Sequence, residues 1–161
     1  MTPRKVLTLA ELAAQRDALA GAGGRLVLTN GCFDLLHVGH VRYLQAAREF
    51  GDALAVALNG DESVRALKGS GRPLNSAADR AEILAALACV DYVTVFDEPR
   101  ATAVFAAVRP HVYVKGADYR IETLDPGERA ALEAGGAEFR FVDFVPGRST
   151  SNLVERMKDE G

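Results

Sequence analysis

One stretch constrains this chain more than any other: Thr29-Asn30-Gly31-Cys32-Phe33-Asp34-Leu35-Leu36-His37-Val38-Gly39-His40. An apolar run at 25–30 leads into it, a glycine at position 31 lets the backbone turn, and two histidines stand where a helix begins. The first turn of a helix carries unpaired backbone N–H groups and the positive end of the macrodipole. Anions collect there, phosphates above all. His37 and His40 are three residues apart, so on a helix their side chains share one face of that turn. Each imidazole can donate a hydrogen bond to a phosphate oxygen, and the bond strengthens as the oxygen gains charge. Gly39 removes a side chain between them and permits close approach of a ligand. The pattern predicts a site for the phosphates of a nucleotide.

The remainder of the chain supplies a scaffold for such a site. Strand patterns occur at 25–30, 53–59, 92–96, 112–114 and 138–144. Helical patterns fill the intervals, at 7–20, 38–50, 61–67, 76–87, 101–108, 125–134 and 152–158. The run at 53–59 is nearly all apolar, as in a strand covered on both faces. Ser76 suits an N-cap, and Gly21-Ala22-Gly23-Gly24 ends the first helix. This alternation predicts an α/β fold, a Rossmann-like parallel sheet with helices on both faces, as a single domain over 1–161. In such sheets ligands bind outside the carboxyl ends of the strands, near the switch in strand order.

Composition narrows the partners. A formal net charge of -3, with no basic patch or stacking aromatics, argues against nucleic acid and against an anionic membrane surface. No apolar run has the length of a membrane span. Cys32 and Cys89 are isolated, so a disulfide framework is not expected and a reducing cytoplasm is. Zinc finds no third ligand at suitable spacing, because His111 is remote.

Other residues fall at strand ends or helix starts. Asn30, Gly31, Phe33 and Asp34 form the turn before the histidines; Asp34 is placed either to hold a Mg²⁺ ion bridging phosphates or to orient a substrate hydroxyl. Lys68 and Arg72 flank a glycine loop that can close over a triphosphate. Arg80 either reaches the phosphate site or pairs with Asp79 or a sheet-end carbonyl. Ser149 and Thr150 precede the last helix, where hydroxyls and free N–H groups can bind phosphates.

The segment from Thr29 to His40 resembles the signature of the nucleotidyltransferase superfamily that carries the HxGH motif, in its cytidylyltransferase-like branch. Three further runs are similar to the heptose 1-phosphate adenylyltransferases within it: Asn59-Gly60-Asp61-Glu62-Ser63, Lys68-Gly69-Ser70-Gly71-Arg72-Pro73-Leu74-Asn75 and Lys115-Gly116-Ala117-Asp118-Tyr119. The resemblance extends over about 25–157. It implies transfer of AMP from ATP, with Mg²⁺, to a sugar 1-phosphate. It also implies catalytic roles for His37, His40 and Lys68, and nucleotide contacts from Lys115, Gly116 and Asp118. Arg72 and Arg80 fall to the sugar phosphate on this reading, and a homodimer is expected. A cytidylyltransferase acting on glycerol 3-phosphate or another polyol phosphate is the alternative. The arginine-led run such enzymes carry before the last helix is replaced here by Phe144-Val145-Pro146-Gly147-Arg148. A nucleotide-binding sensor without turnover is a further alternative.

Overall fold

The computed structural model describes residues 4–143 and 150–160, with side chains described throughout except at 150–152 and 160. The helices are α1 (Leu9–Gly21), α2 (Val38–Arg48), α3 (Asp61–Lys68), α4 (Ala77–Ala85), α5 (Thr102–Val108), α6 (Pro126–Ala134) and α7 (Thr150–Glu160). The strands are β1 (Leu26–Gly31), β2 (Ala53–Asn59), β3 (Tyr92–Phe96), β4 (Val112–Gly116) and β5 (Glu138–Val142). A short 3-10 turn at Ile121–Thr123, absent from the sequence reading, precedes α6.

The strands form one parallel sheet in the order β3-β2-β1-β4-β5. Alternate side chains on each strand enter two separate cores. Leu26 and Leu28 of β1 and the alanines of β2 pack beneath Leu12 of α1, Phe105 of α5 and Leu132 of α6. Val27, Leu54, Val56 and Leu58 pack on the opposite face against Tyr43, Leu44 and Ala47 of α2 and Leu84 of α4. β2 is buried at every position, which is why its sequence lacks alternation. The expected fold class is therefore the observed one.

Two boundaries differ in ways that matter for the site. Gly31 is the last residue of β1, opposite Leu58, and is not part of the turn. β4 runs on to Gly116 because Lys115 and Gly116 pair with Phe141 and Val142 of β5. Lys115 thus sits on a strand rather than beyond one. The chain leaves β1 for β2 and β3 on one side and returns to β4 on the other. The switch in strand order falls between the carboxyl ends of β1 and β4, where a crevice must open.

Candidate active site

α2 begins at this crevice, and the two histidines build its first turn. His37 is extended (φ -135°, ψ 174°) and serves as the N-cap, its Nδ1 accepting from Gly39 N at 3.1 Å. His40 reaches back, its Nδ1 accepting from His37 N at 3.3 Å. The pair does what a Ser and a Glu do in an ordinary capping box. This corrects the expectation of two histidines on one helical face, since His37 precedes the helix. The rings stack, centroids 3.9 Å apart, and the Phe33 ring tilts against His40 at 5.2 Å. With each Nδ1 engaged as an acceptor, the proton of each neutral ring belongs on Nε2. Burial depresses the His40 pKa to about 4, aided by the neighbouring His37 and by Lys68, against a hydrogen bond with the Leu35 backbone. At neutral pH His40 is an uncharged donor.

The turn before the histidines owes its shape to two residues. Phe33 adopts a left-handed backbone (φ 47°), so the bend assigned to Gly31 lies two residues later. A Cβ at Gly31 would meet the Phe33 ring at 3.0 Å, so a larger residue there would press on that ring. Asp34 is almost fully buried. Its carboxylate accepts from Leu74 N at 2.8 Å and Asn75 N at 2.9 Å, with Arg72 Nη1 at 3.4 Å. Asn75 Nδ2 donates to the Asp34 carbonyl at 2.8 Å. Asp34 thus binds the 72–75 segment to the turn, and Arg72 is drawn to Asp34.

Arg80 is wholly buried, with its guanidinium bonded to the protein. Its Nη1 donates to the carbonyls of Cys32 (2.8 Å) and Asn59 (2.7 Å), just beyond β1 and at the end of β2. Nε donates to Asn75 O (2.9 Å) and Nη2 to Asp61 Oδ1 (2.9 Å). Four of its five N–H donors are spent on the protein, which fits the alternative reading, a brace across two strand ends, better than the expected role in holding substrate. Lys68, by contrast, is exposed at the end of α3.

Across the switch point, Lys115 Nζ lies 3.3 Å from Asn30 Oδ1 and 3.4 Å from Asn30 O, over the Tyr119 ring at 4.9 Å from its centroid. Burial lowers its pKa, while Glu128, Cys32 and Asp118 act in the opposite sense. Asp118 is exposed. Of the two hydroxyl residues expected at phosphates, Ser149 lies outside the described residues and Thr150 opens α7.

These parts enclose a cavity of about 540 Å³. Asn30, Gly31, Phe33, Asp34, His40, Lys68, Lys115 and Gly116 line it. Gly39, Arg72, Arg80 and Asp118 do not, and His37 lies against His40 rather than on the wall. The opposite wall was missed in the sequence. It comes from the starts of α5 and α6, which are tied together: Glu128 Oε1 accepts from Ala101 N at 3.1 Å, and Arg100 Nε is 3.7 Å from Asp125 Oδ1. Only the charge types and the helix starts hinted at that wall; nothing local pairs residues so far apart. Tyr43 also lines the cavity, its hydroxyl shared between Thr29 Oγ1 (2.8 Å) and the Val114 carbonyl (3.1 Å).

Comparison with known proteins agrees with this geometry. Residues 28–139 match the family described as cytidylyltransferase-like. The chain is 51% identical over 156 residues to the bifunctional protein HldE of Methylococcus capsulatus, covering 97% of this chain and 33% of that protein. It is 51% identical over 154 residues to HldE of Geotalea uraniireducens, covering 96% of this chain and 31% of that one. The chain therefore spans about a third of the length of these curated relatives. Among solved structures it is similar to a lipopolysaccharide core biosynthesis protein from Thermoplasma volcanium, with a TM-score of 0.62 and 26% identity, over 76% of this chain and 98% of that one. A parallel sheet open at its switch point, two stacked histidines at the start of α2, and relatives alike over nearly all its length place the chain in the cytidylyltransferase-like family of nucleotidyltransferases.

Proposed function

We propose that this chain transfers the AMP part of ATP to D-glycero-β-D-manno-heptose 1-phosphate, giving ADP-heptose and pyrophosphate. The observation that carries the reading is the His40 ring, backed by the stacked ring of His37, in a cavity that also holds Lys68 and Lys115. The heptose acceptor rests on the kinship with HldE and on the runs at 59–63, 68–75 and 115–119.

An oxygen of the acceptor phosphate bonds to the α-phosphorus while the bond from that phosphorus to the bridging oxygen of pyrophosphate breaks. The nucleophile is already an anion near neutral pH, so alignment and charge neutralisation supply most of the catalysis. A neutral His40 donates one hydrogen bond to the phosphate chain, and the arriving negative charge raises its proton affinity as the transition state forms. Lys68, on its exposed helix end before Gly69 (φ 98°), closes on the departing pyrophosphate. Ser149 and Thr150 hold its far end. An in-line reaction sets the acceptor opposite the leaving group. The wall of Arg100, Asp125 and Glu128, on the other face of the sheet from α2, offers donors and acceptors to sugar hydroxyls.

The cavity carboxylates are already engaged: Asp34 by backbone amides, Asp125 by Glu128 N at 3.1 Å, and Glu128 by Ala101 N. Such a donor set suits a Mg²⁺ ion that arrives on the triphosphate with few protein ligands. When bound, the metal neutralises phosphate charge. The reading implies ATP and a sugar phosphate as partners, in the cytoplasm and without nucleic acid. A homodimer is the assembly the resemblance implies, and sedimentation analysis checks it.

A pyrophosphate-release screen tests the proposal. ATP and CTP are each paired with heptose 1-phosphate, hexose 1-phosphates and glycerol 3-phosphate. Release with ATP and heptose 1-phosphate is expected to exceed every other pairing. Preference for CTP with glycerol 3-phosphate would overturn it, and nucleotide binding without release under any acceptor would leave a sensor.

A further inference from the structure

Tyr113 is the second residue of β4, with its ring in the core, edge-on to Phe105 at 5.0 Å and Phe139 at 6.1 Å. Its hydroxyl donates to Asn30 Oδ1 at 2.5 Å. The same oxygen accepts from Lys115 Nζ, as does the Asn30 carbonyl. An ammonium has three N–H donors. With two turned onto Asn30, the third is left to a ligand in the cavity that Lys115 lines.

The arrangement depends on which way the Asn30 amide faces. Turned over, the amide would set its NH₂ group against the ammonium, donor against donor. The ammonium, a donor alone, keeps the oxygen towards itself, and the Tyr113 hydroxyl anchors that same oxygen by donating to it. We propose that Tyr113, which lies outside the cavity lining, is a positioning residue: its hydroxyl anchors the Asn30 side chain beside Lys115, so that the ammonium presents one fixed N–H to a substrate phosphate. The inference rests on reading the cleft as a nucleotidyl-transfer site.

The sign of the effect follows from the groups around Lys115. Glu128 of α6, Asp118 and Cys32 all favour the ammonium, and burial opposes it. Asn30 Oδ1 adds an acceptor for the charged form alone. Release of the Asn30 amide removes that acceptor, so the ammonium loses its proton at a lower pH.

Tyr113→Phe keeps the ring and deletes the hydroxyl. For this variant we expect kcat for pyrophosphate release to fall by roughly tenfold, with KM for ATP changed far less. The alkaline limb of the rate profile is expected to move to lower pH, and the melting temperature to change little. Asn30→Asp fixes an acceptor toward Lys115 and should move the limb to higher pH. NMR of ¹³C-labelled lysine follows the Lys115 titration in both variants without any turnover. A Lys115 titration identical in parent and Tyr113→Phe overturns the inference, as does a rate loss that only mirrors a loss of folded protein. A parent without pyrophosphate release sinks the reaction assignment instead, and the lysine titration then still decides whether Tyr113 sets the state of Lys115.

Discussion

His37 and His40 stack at 3.9 Å between ring centroids, and each ring's Nδ1 is tied to a backbone amide of the turn that carries the other. The consequence is rigidity where a phosphate is expected. Neither ring has to find its orientation when the ligand arrives, and such preorganisation is the main source of electrostatic catalysis. His40→Ala is expected to lower kcat by roughly 10²–10³-fold, the cost of one lost transition-state donor. The Kd for ATP should change far less. Single-turnover pyrophosphate release beside equilibrium ATP binding measures both, and equal losses in the two would count against the division of labour.

The half-buried His40 ring also makes stability depend on pH. Its folded pKa of about 4 lies below the ordinary 6.5. Between those values the unfolded chain holds a proton that the folded chain does not, so stability rises with pH through that window. The contribution is complete above pH 6.5 and is lost as pH falls toward 4. Burial lowers the pKa of His111 too, which adds in the same direction. Melting temperatures of the parent should therefore drop across this range, and His40→Asn should flatten the drop. An equal slope in parent and variant would assign the dependence to other groups.

Arg80 ties three separate segments together, through Cys32, through Asn59 and Asp61, and through Asn75. Its removal leaves buried carbonyls without donors, each costing about 1–3 kcal/mol. Arg80→Ala is therefore expected to destabilise the fold by roughly 3 kcal/mol or more, read as a lower urea midpoint. Arg80→Lys should rescue little, because a single ammonium cannot span the directions a guanidinium reaches. Loss of acceptor affinity at unchanged stability would return Arg80 to the substrate.

Asp34 separates a structural role from a metal-binding one. Asp34→Asn replaces an acceptor with an NH₂ group facing the amides of Leu74 and Asn75. Hydrogen exchange at those two amides should accelerate, and stability should fall by about 1–3 kcal/mol. The Mg²⁺ concentration that half-saturates the rate should hold steady. A several-fold rise in that concentration, with exchange unchanged, would make the carboxylate a metal ligand.

Much of the scaffold was legible because it is written locally. β2 and β3 occupy the very residues their apolar runs marked, and Ser76 caps α4 by accepting from Asp79 N. The candidate site at the start of α2 was legible for the same reason, since glycine, histidines and helix start lie within one short segment. Reading stopped where a partner is distant. β4 was read two residues short, because the pairing of Lys115 with Phe141 is a property of two strands and not of one.

By itself, then, the sequence determined the alternation of strands and helices, that β2 is covered on both faces, and where paired imidazoles meet a helix start. Only the tertiary structure decided that Arg80 braces strand ends, that Asp34 is held by amides 40 and 41 residues away, and that Tyr113 donates to an asparagine 83 residues distant. The reason is physical. Side-chain periodicity records burial, a one-body property, whereas a hydrogen bond needs a second group whose place is set by strand order. That order emerges only when all five strands have packed.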